Sequence, residues 1–223
     1  MNTVPFSDSP KLALLDWDGT FCDSRPGIYQ MNLVMAEQYG VHMPSYTRWL
    51  QASHPSVEEC MEGLGVTTSR EEIKNFFNRL LVEQRESGFQ NPLYPGTEDF
   101  LKLLQDLVIP AIIISRHLHE HLVQDIEAHG LSGYFQQIIG QPADVTLEKD
   151  AVMRQICDEA QIDYSQAFYL GDTSHDMLLA RKAGVRTVAV SHGYDPVSEL
   201  IETGPDHIYG SLPEIERAFR FYG

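Results

Sequence analysis

Two acidic side chains separated by one residue follow an apolar run near the start of the chain. The segment Leu12 to Ser24 reads LALLDWDGTFCDS, so Asp16 ends the apolar run and Asp18 follows after Trp17. Because alternate residues of an extended segment point to the same side, the two carboxyl groups lie close together. Their mutual repulsion calls for a nearby cation, and Mg²⁺ bound by one or two carboxylates is the usual solution. The pair predicts a Mg²⁺ site, with an Asx-type turn after a strand as the alternative.

A second group of polar residues follows the β-branched run AIIIS. Ser115 ends this run and Arg116 comes next. A hydroxyl together with backbone N–H groups at a helix N-terminus makes an anion site, and the arginine adds positive charge. The alternatives are a serine that only satisfies a helix end and an arginine that is only solvated.

A third group lies in the segment GDTSHD, which directly follows the apolar run AFYL. Asp172 precedes a predicted helix, and Asp176 falls in its first turn, where acids are favoured by the helix dipole. Capping therefore offers an alternative account of Asp176, but it does not account for Asp172. Between Ser115 and Asp172 the only lysine is Lys149. It is the candidate ammonium for a phosphate bound beside the acids, and a solvated surface lysine is the alternative.

Helices and strands alternate from about residue 96 to the end of the chain. Apolar residues recur at helical spacing in PGTEDFLKLLQDL, and VIPAIIIS is typical of a strand covered on both faces. The same alternation predicts strands at FQQIIG, AFYLG, RTVAV and DHIYG, and helices over HLHEHLVQDIEAHG, Glu148–Ala160, Ser174–Ala183, Val197–Glu202 and SLPEIERAF. This order predicts an α/β fold with a Rossmann-like parallel sheet and helices on both faces. Ligands of such sheets bind at the carboxyl ends of the strands, where all three polar groups fall.

Residues 23–94 interrupt this alternation. They contain helical patterns around Ile28–Tyr39, Val57–Leu64 and Arg70–Arg85 but no convincing strand. We therefore predict a core domain formed by residues 1–22 and 95–223 and an inserted α-helical cap domain over residues 23–94.

Composition narrows the classes of partner and compartment. The 223 residues include 32 acidic and 16 basic side chains, for a formal net charge of −16. Such a field repels nucleic acid and anionic membrane surfaces, so we expect neither as a partner. The three cysteines show no CxxC spacing, which favours thiols in a reducing compartment. With no leader pattern and no membrane-spanning run, the expectation is a cytoplasmic protein, either a monomer or a homodimer.

Taken together, the motifs resemble those of the haloacid dehalogenase (HAD) superfamily, in the branch with a helical cap after the first strand. DWDGTFCDS resembles the first motif, IIIS the second, Lys149 the third and GDTSHD the fourth, and the likeness runs through the whole chain. Two departures are the pair Arg116-His117, where the family often has Asn-Lys, and the pair Lys149-Asp150, where it often has Lys-Pro.

The resemblance implies a role for each matching residue. Asp16 would attack phosphorus and form an aspartyl-phosphate, and Asp18 would protonate the leaving oxygen and then activate water. Mg²⁺ would be held by the Asp16 carboxylate, the Asp18 carbonyl and Asp172, with Asp176 ordering its waters. Ser115 and Lys149 would hold the phosphoryl oxygens. By the same likeness the remaining phosphate-binding residues would be Gly19, Thr20 and Arg116.

The function implied is Mg²⁺-dependent hydrolysis of small phosphorylated metabolites, as in phosphoglycolate phosphatases. A sugar-phosphate mutase similar to β-phosphoglucomutase shares every core residue and remains an alternative. An activity like that of phosphonoacetaldehyde hydrolases is a further alternative. Those enzymes resemble this chain in having Trp at the position of Trp17, within the motif DWAGT, and they use a cap lysine, for which Lys74 is the only candidate in the predicted cap. The intact Asp18 favours phosphate-ester hydrolysis and also argues against a non-catalytic binding protein.

Overall fold

A computed structural model describes residues 8–51, 56–142 and 147–220. The chain divides into two compact units, one formed by Met1–Asp23 with Leu93–Gly223 and the other by Ser24–Pro92. None of the helices in the described parts of the chain is long and apolar enough to cross a membrane.

The first unit is built on one parallel sheet. Its strands, in chain order, are β1 Leu12–Leu15, β2 Ala111–Leu118, β3 Gln137–Gln141, β4 Ala167–Gly171, β5 Arg186–Val190 and β6 His207–Tyr209. They lie in the order β3-β2-β1-β4-β5-β6, and every neighbouring pair is parallel. The strand order therefore reverses at β1, whose Leu15 pairs with Ile113 on one side and with Leu170 on the other. The carboxyl end of β1 is the topological switch point, where such sheets bind their ligands.

Ten α-helices are assigned in the described residues. Those of the second unit are α1 Arg25–Tyr39, α2 Tyr46–Leu50, α3 Val57–Gly63 and α4 Arg70–Glu86. Those of the first unit are α5 Thr97–Asp106, α6 His119–Ala128, α7 Lys149–Ala160, α8 Ser174–Ala183, α9 Val197–Thr203 and α10 Leu212–Phe219. Short 3₁₀ turns at Ser132–Tyr134 and Tyr164–Gln166 precede β3 and β4.

The sheet buries both of its faces, because alternate residues of each strand point in opposite directions. On one face Ala13 and Leu15 pack with apolar residues of α5, α6 and α10, including Phe100 and Phe219. On the other face Leu12 and Leu14 pack with residues of α7, α8 and α9, including Met153. The prediction of an α/β, Rossmann-like parallel sheet with helices on both faces is confirmed.

All of the regular secondary structure assigned in the described residues of the second unit, 24–51 and 56–92, is α-helical. Its α1 packs against α3 and α4, and its buried side chains include Met35, Trp49, Met61 and Ile73. Ring contacts join Tyr29 to Trp49, with centroids 5.4 Å apart. That this unit acts as a substrate-selecting cap remains a prediction.

The second strand runs past the position at which the sequence pattern ends it. The pattern ends the strand at Ser115, but β2 continues to Leu118, which pairs with Gln141 of β3 after a register shift that begins at Ile114. Helix α6 therefore begins only at His119. The reading of Ser115 as a residue at a helix N-terminus is wrong, because three strand residues separate its hydroxyl from the helix.

Candidate active site

The loop after β1 is a tight turn closed on one carbonyl. The backbone N–H groups of Thr20, Phe21 and Cys22 all donate to the carbonyl of Trp17, at 3.2, 2.9 and 3.1 Å. The N–H of Asp16 donates to the carbonyl of Leu170 at 2.9 Å, which ties the start of the loop to β4. The turn therefore holds the Asp16 side chain at the carboxyl edge of the sheet.

Glycine is required at position 19 of this turn. Its φ is +79°, and a Cβ placed on it would lie 2.1 Å from Oδ2 of Asp172. Any larger residue would be strained in its backbone and would also displace an acid of the site. The predicted phosphate-binding position Gly19 thus lies directly against Asp172.

Lys149 is the centre of the buried polar cluster. Its Nζ donates to Oδ1 of Asp16 at 2.9 Å, to Oδ1 of Asp176 at 2.8 Å and to the hydroxyl of Tyr169 at 2.8 Å. These contacts use all three donors of an ammonium group. Only 3% of the residue is exposed, so the alternative of a solvated surface lysine is wrong.

The acid next to Lys149 does not compete for it. Oδ2 of Asp150 accepts from Nη2 of Arg154 and lies beside Nζ of Lys182, both at 2.9 Å. The departure from the family pattern at this position therefore leaves the Lys149 ammonium with Asp16 and Asp176.

Asp172 is fully buried and held through both of its oxygens. Oδ1 accepts from the hydroxyl of Thr20 at 3.1 Å, and Oδ2 accepts from the backbone N–H of Tyr194 at 2.7 Å. Thr20, a predicted phosphate-binding residue, thus orients a carboxylate in this structure. One carboxylate oxygen from each of Asp16, Asp172 and Asp176 lies within 4.8 Å of the other two.

The electrostatics of this cluster favour a further cation. Burial raises the pKa of Asp16 to about 7, although Lys149 opposes the shift, and burial together with Asp16 and Asp176 raises the pKa of Asp172 well above its usual range. Burial alone would raise the pKa of Asp176, but Lys149 and Thr173 bring it below its ordinary value. One ammonium cannot balance three buried carboxylates. The donor set, which consists of carboxyl oxygens alone, fits a hard divalent cation such as Mg²⁺.

The other predicted residues lie at the edge of this cluster. Ser115 is buried, and its hydroxyl accepts from the backbone N–H of His117 at 3.2 Å. Arg116 is exposed, and its guanidinium contacts Nε2 of His175 at 2.5 Å. Asp18 is more exposed than the three clustered acids, and its Oδ2 lies 2.9 Å from Nδ1 of His117. The structure thus brings Asp16, Asp172, Asp176 and Lys149 into one buried group and leaves the Asp18 carboxylate at its rim.

Three residues of the site are not among those predicted from the sequence. Tyr169 contacts Lys149 from the middle of β4, and its hydroxyl also donates to the carbonyl of Ile114 at 3.2 Å. Thr173 caps α8 and donates to Oδ2 of Asp176 at 2.6 Å. His117 contacts Asp18 through a strand extension that the pattern does not predict. The threonine alone was recoverable, since Thr-Ser-His-Asp is a helix-start pattern.

Comparison with known proteins agrees with this geometry. The family model described as haloacid dehalogenase-like hydrolase matches residues 13–190, which is more than half of the chain. The chain belongs to the haloacid dehalogenase-like hydrolase family. A phosphoglycolate phosphatase of Neisseria gonorrhoeae is 30% identical over 221 residues, covering 90% of this chain and 89% of that protein. These findings confirm the resemblance and place the chain in the phosphatase branch of the family.

Two solved structures share the fold of this chain. A predicted phosphatase from Clostridium acetobutylicum has a TM-score of 0.81 at 22% identity, covering 96% of this chain and 100% of its own. A proposed β-phosphoglucomutase from Thermotoga maritima has a TM-score of 0.71 at 16% identity, covering 95% and 99%. At these identities the likeness concerns the fold, and it does not separate phosphatases from mutases.

Proposed function

We propose that this haloacid dehalogenase-like phosphatase hydrolyses small phosphorylated metabolites with Asp16 as the nucleophile and Mg²⁺ as the cofactor. The observation that carries the proposal is the buried cluster in which Lys149 contacts both Asp16 and Asp176 while Asp172 lies beside them. No structural role requires three carboxylates in one buried group, because their mutual repulsion destabilises the fold.

In the first step the carboxylate of Asp16 attacks phosphorus, and the bond from phosphorus to the leaving oxygen breaks. Asp18, in its protonated form, donates its proton to that oxygen, so that an alcohol leaves and an aspartyl-phosphate remains. His117 holds the Asp18 carboxyl group through the contact of 2.9 Å between Nδ1 and Oδ2. Ser115 would donate to a phosphoryl oxygen, and Lys149 would do so in exchange for one of its present contacts, since preorganised donors contribute most there.

In the second step the Asp18 carboxylate takes a proton from water, and the water oxygen attacks the phosphorus of the aspartyl-phosphate. The bond between phosphorus and the Asp16 oxygen breaks, which releases inorganic phosphate and restores the free carboxylate. Mg²⁺ held by Asp16, Asp172 and the Asp18 carbonyl, with Asp176 ordering its waters, would neutralise charge on the phosphoryl oxygens. The donors on Asp172 from Thr20 and Tyr194 keep that carboxylate aimed at the cluster.

The names of the curated relatives support the proposed substrate class. The Neisseria protein and several Pseudomonas relatives carry the name phosphoglycolate phosphatase, and this chain covers 77–89% of their lengths. We therefore place phosphoglycolate first among the small phosphorylated acids to be tested, with the helical unit Ser24–Pro92 as the cap that selects among them.

The proposal is tested by phosphate release from p-nitrophenyl phosphate and from phosphoglycolate, with and without Mg²⁺. We expect turnover that requires Mg²⁺, and a protein from Asp16→Asn that is folded but has lost at least about 10³-fold in kcat. Acid-quenched enzyme should carry a phosphoryl group on the peptide containing Asp16. Turnover that is retained in Asp16→Asn would refute the nucleophile, and isomerised sugar phosphate without phosphate release would identify a mutase.

A further inference from the structure

A second cluster of potential metal ligands lies outside the acidic group. It consists of Cys22, in the loop after β1, and of Asp125 and His129, one helical turn apart at the end of α6. One ligand atom from each residue lies within 4.8 Å of the other two. None of the three takes part in the proposed hydrolysis.

The two side chains from the helix are oriented toward each other without bonding. Nε1 of Trp17 donates to Oδ2 of Asp125 at 2.7 Å, and this contact fixes the carboxylate. Its other oxygen, Oδ1, lies 3.9 Å from Nε2 of His129, which is beyond hydrogen-bond distance. That ring nitrogen is buried and has no hydrogen-bond partner among the described residues. A buried imidazole nitrogen without a partner costs free energy, and a bound cation would remove the cost.

The chemistry of the three ligands differs from that of the acidic cluster. A thiolate, an imidazole and a carboxylate are the donors that Zn²⁺ takes, whereas Mg²⁺ takes oxygen alone. Zinc bond lengths of about 2.0–2.3 Å put tetrahedral ligand atoms roughly 3.3–3.8 Å apart, so each pair has to close by at most roughly 1.5 Å. One Zn²⁺ with a thiolate, a carboxylate and a neutral imidazole has no net charge. A neutral group is the form that a partly buried site accepts most readily.

We propose that Cys22, Asp125 and His129 form a Zn²⁺ site with a fourth position open to water. The ion replaces the proton of the Cys22 thiol, which passes to water. The side chains of Asp125 and His129 keep 17% and 12% exposure, and the ion enters there. Because Cys22 lies in the same loop as Asp16 and Thr20, the bound ion cross-links the catalytic loop to α6. Zn²⁺ therefore stabilises the folded chain by joining these two elements.

The test uses Co²⁺ as a spectroscopic probe for zinc, added to the full chain in saturating Mg²⁺. A thiolate ligand gives a sulfur-to-cobalt charge-transfer band, which an all-oxygen site cannot give. We expect this band to saturate at one equivalent of Co²⁺, to be displaced by Zn²⁺ and to be absent in Cys22→Ser. Cys157→Ser is the matched control, since Cys157 is also a fully buried thiol of the same unit, and it should keep the band.

A second variant protects the test against misfolding of Cys22→Ser. His129→Gln keeps the thiol and the fold but removes one ligand, and its affinity for Co²⁺ should fall at least about tenfold. Zn²⁺ should also raise the thermal midpoint of the wild-type chain and of Cys157→Ser, but not that of His129→Gln. A folded wild-type chain without the charge-transfer band, or a band lost in Cys157→Ser and kept in Cys22→Ser, would overturn the site.

Discussion

At the scale of single residues, the contact between His117 and Asp18 has a consequence for catalysis. The two side chains meet at 2.9 Å, and whenever Asp18 is ionised its carboxylate can only accept, so Nδ1 of the histidine then donates. If Asp18 protonates the leaving oxygen, the hydrogen bond that positions it matters most when the leaving group is a poor one. A substitution of His117 should therefore lower kcat by an amount that depends on the leaving group, and it should not weaken the binding of phosphate.

We expect His117→Ala to lower kcat about 10- to 100-fold for an alkyl phosphate and less than about threefold for p-nitrophenyl phosphate. His117→Asn is the matched control, because its amide nitrogen occupies the place of Nδ1 and should restore most of the alkyl phosphatase activity. The measurement is kcat for both substrates in all three proteins at saturating Mg²⁺. Equal losses on both substrates would show that His117 only supports the fold.

Asp150, in contrast to Asp18, is an acid whose charge contributes to the stability of the fold. Hydrogen bonds and charge from Lys182 and Arg154 outweigh its burial and lower its pKa from 3.8. Because the folded-state pKa is the lower one, the contribution to stability is present above the unfolded pKa, about 3.9, and is lost as pH falls through the folded pKa. Both partners are partly or largely exposed, so the contribution is modest.

We expect Asp150→Asn to lower the free energy of unfolding by about 1 kcal/mol at pH 7. The difference from wild type should start to shrink as pH falls below the unfolded pKa of about 3.9, and it should vanish once the folded wild-type carboxylate is protonated as well. Urea unfolding at a series of pH values, with Mg²⁺ present throughout, measures this. A destabilisation that stays constant down to pH 3 would assign the effect to packing and not to charge.

At the scale of elements, the loop after β1 depends on the absence of a side chain at Gly19. Its φ of +79° and the 2.1 Å between an added Cβ and Oδ2 of Asp172 act together. Gly130 separates the two effects, because its φ is +72° and an added Cβ would meet nothing within 4 Å. Both substitutions strain the backbone by about 1–2 kcal/mol, but only the one at Gly19 displaces an acid of the cluster.

We expect Gly19→Ala to lower phosphatase activity about 100-fold and to raise the Mg²⁺ concentration needed for half-maximal turnover. Gly130→Ala should lose a similar amount of stability and keep its activity and Mg²⁺ requirement. Thermal unfolding and Mg²⁺ titration of both variants make the comparison. An equal loss of activity in the two proteins would mean that strain, and not displacement of Asp172, controls the site.

Elements with a clear apolar periodicity and end signals could be predicted from the sequence. Elements whose bounds depend on hydrogen bonding to a neighbouring strand could not. The predicted helix Ser174–Ala183 has the observed bounds, because a capping pattern starts it and Gly184 ends it in the left-handed region. The extension of β2 to Leu118 could not be predicted, since HLHEHL reads as the start of a helix and only the pairing with Gln141 makes it a strand. For the same reason the contact of His117 with Asp18 was not predictable.

Some residues of the buried site could likewise be predicted from the sequence, and others could not. Asp16 and Asp172 could be assigned to one edge of the sheet because each follows a strand end, and Lys149 because it is the single lysine between Ser115 and Asp172. Tyr169 could not, since its hydroxyl meets Lys149, 20 residues away in the chain, only once β4 packs beside the start of α7. Sequence patterns locate the ends of elements, but they do not give the side-chain lengths and directions that complete a site.

At the scale of the whole molecule, the surface charge opposes the substrate that the site binds. The formal charge of −16 sets up a negative potential around the chain, while the local cations at the site are Lys149 and Arg116. An incoming phosphate monoester is repelled at long range and attracted only near the site. Salt screens the long-range part, with a Debye length of about 8 Å at 0.15 M, and leaves the buried contacts nearly unchanged.

We therefore expect kcat/KM to rise with KCl between about 0.02 and 0.15 M at saturating Mg²⁺, while kcat stays constant. The rise should be larger for phosphoglycolate, whose carboxylate adds a third negative charge, than for p-nitrophenyl phosphate. The second substrate thus serves as the internal control for effects of KCl on Mg²⁺ binding, which would act on both equally. A fall of kcat/KM with salt on both substrates would mean that the cations at the site, and not the net charge of the chain, govern the approach of the substrate.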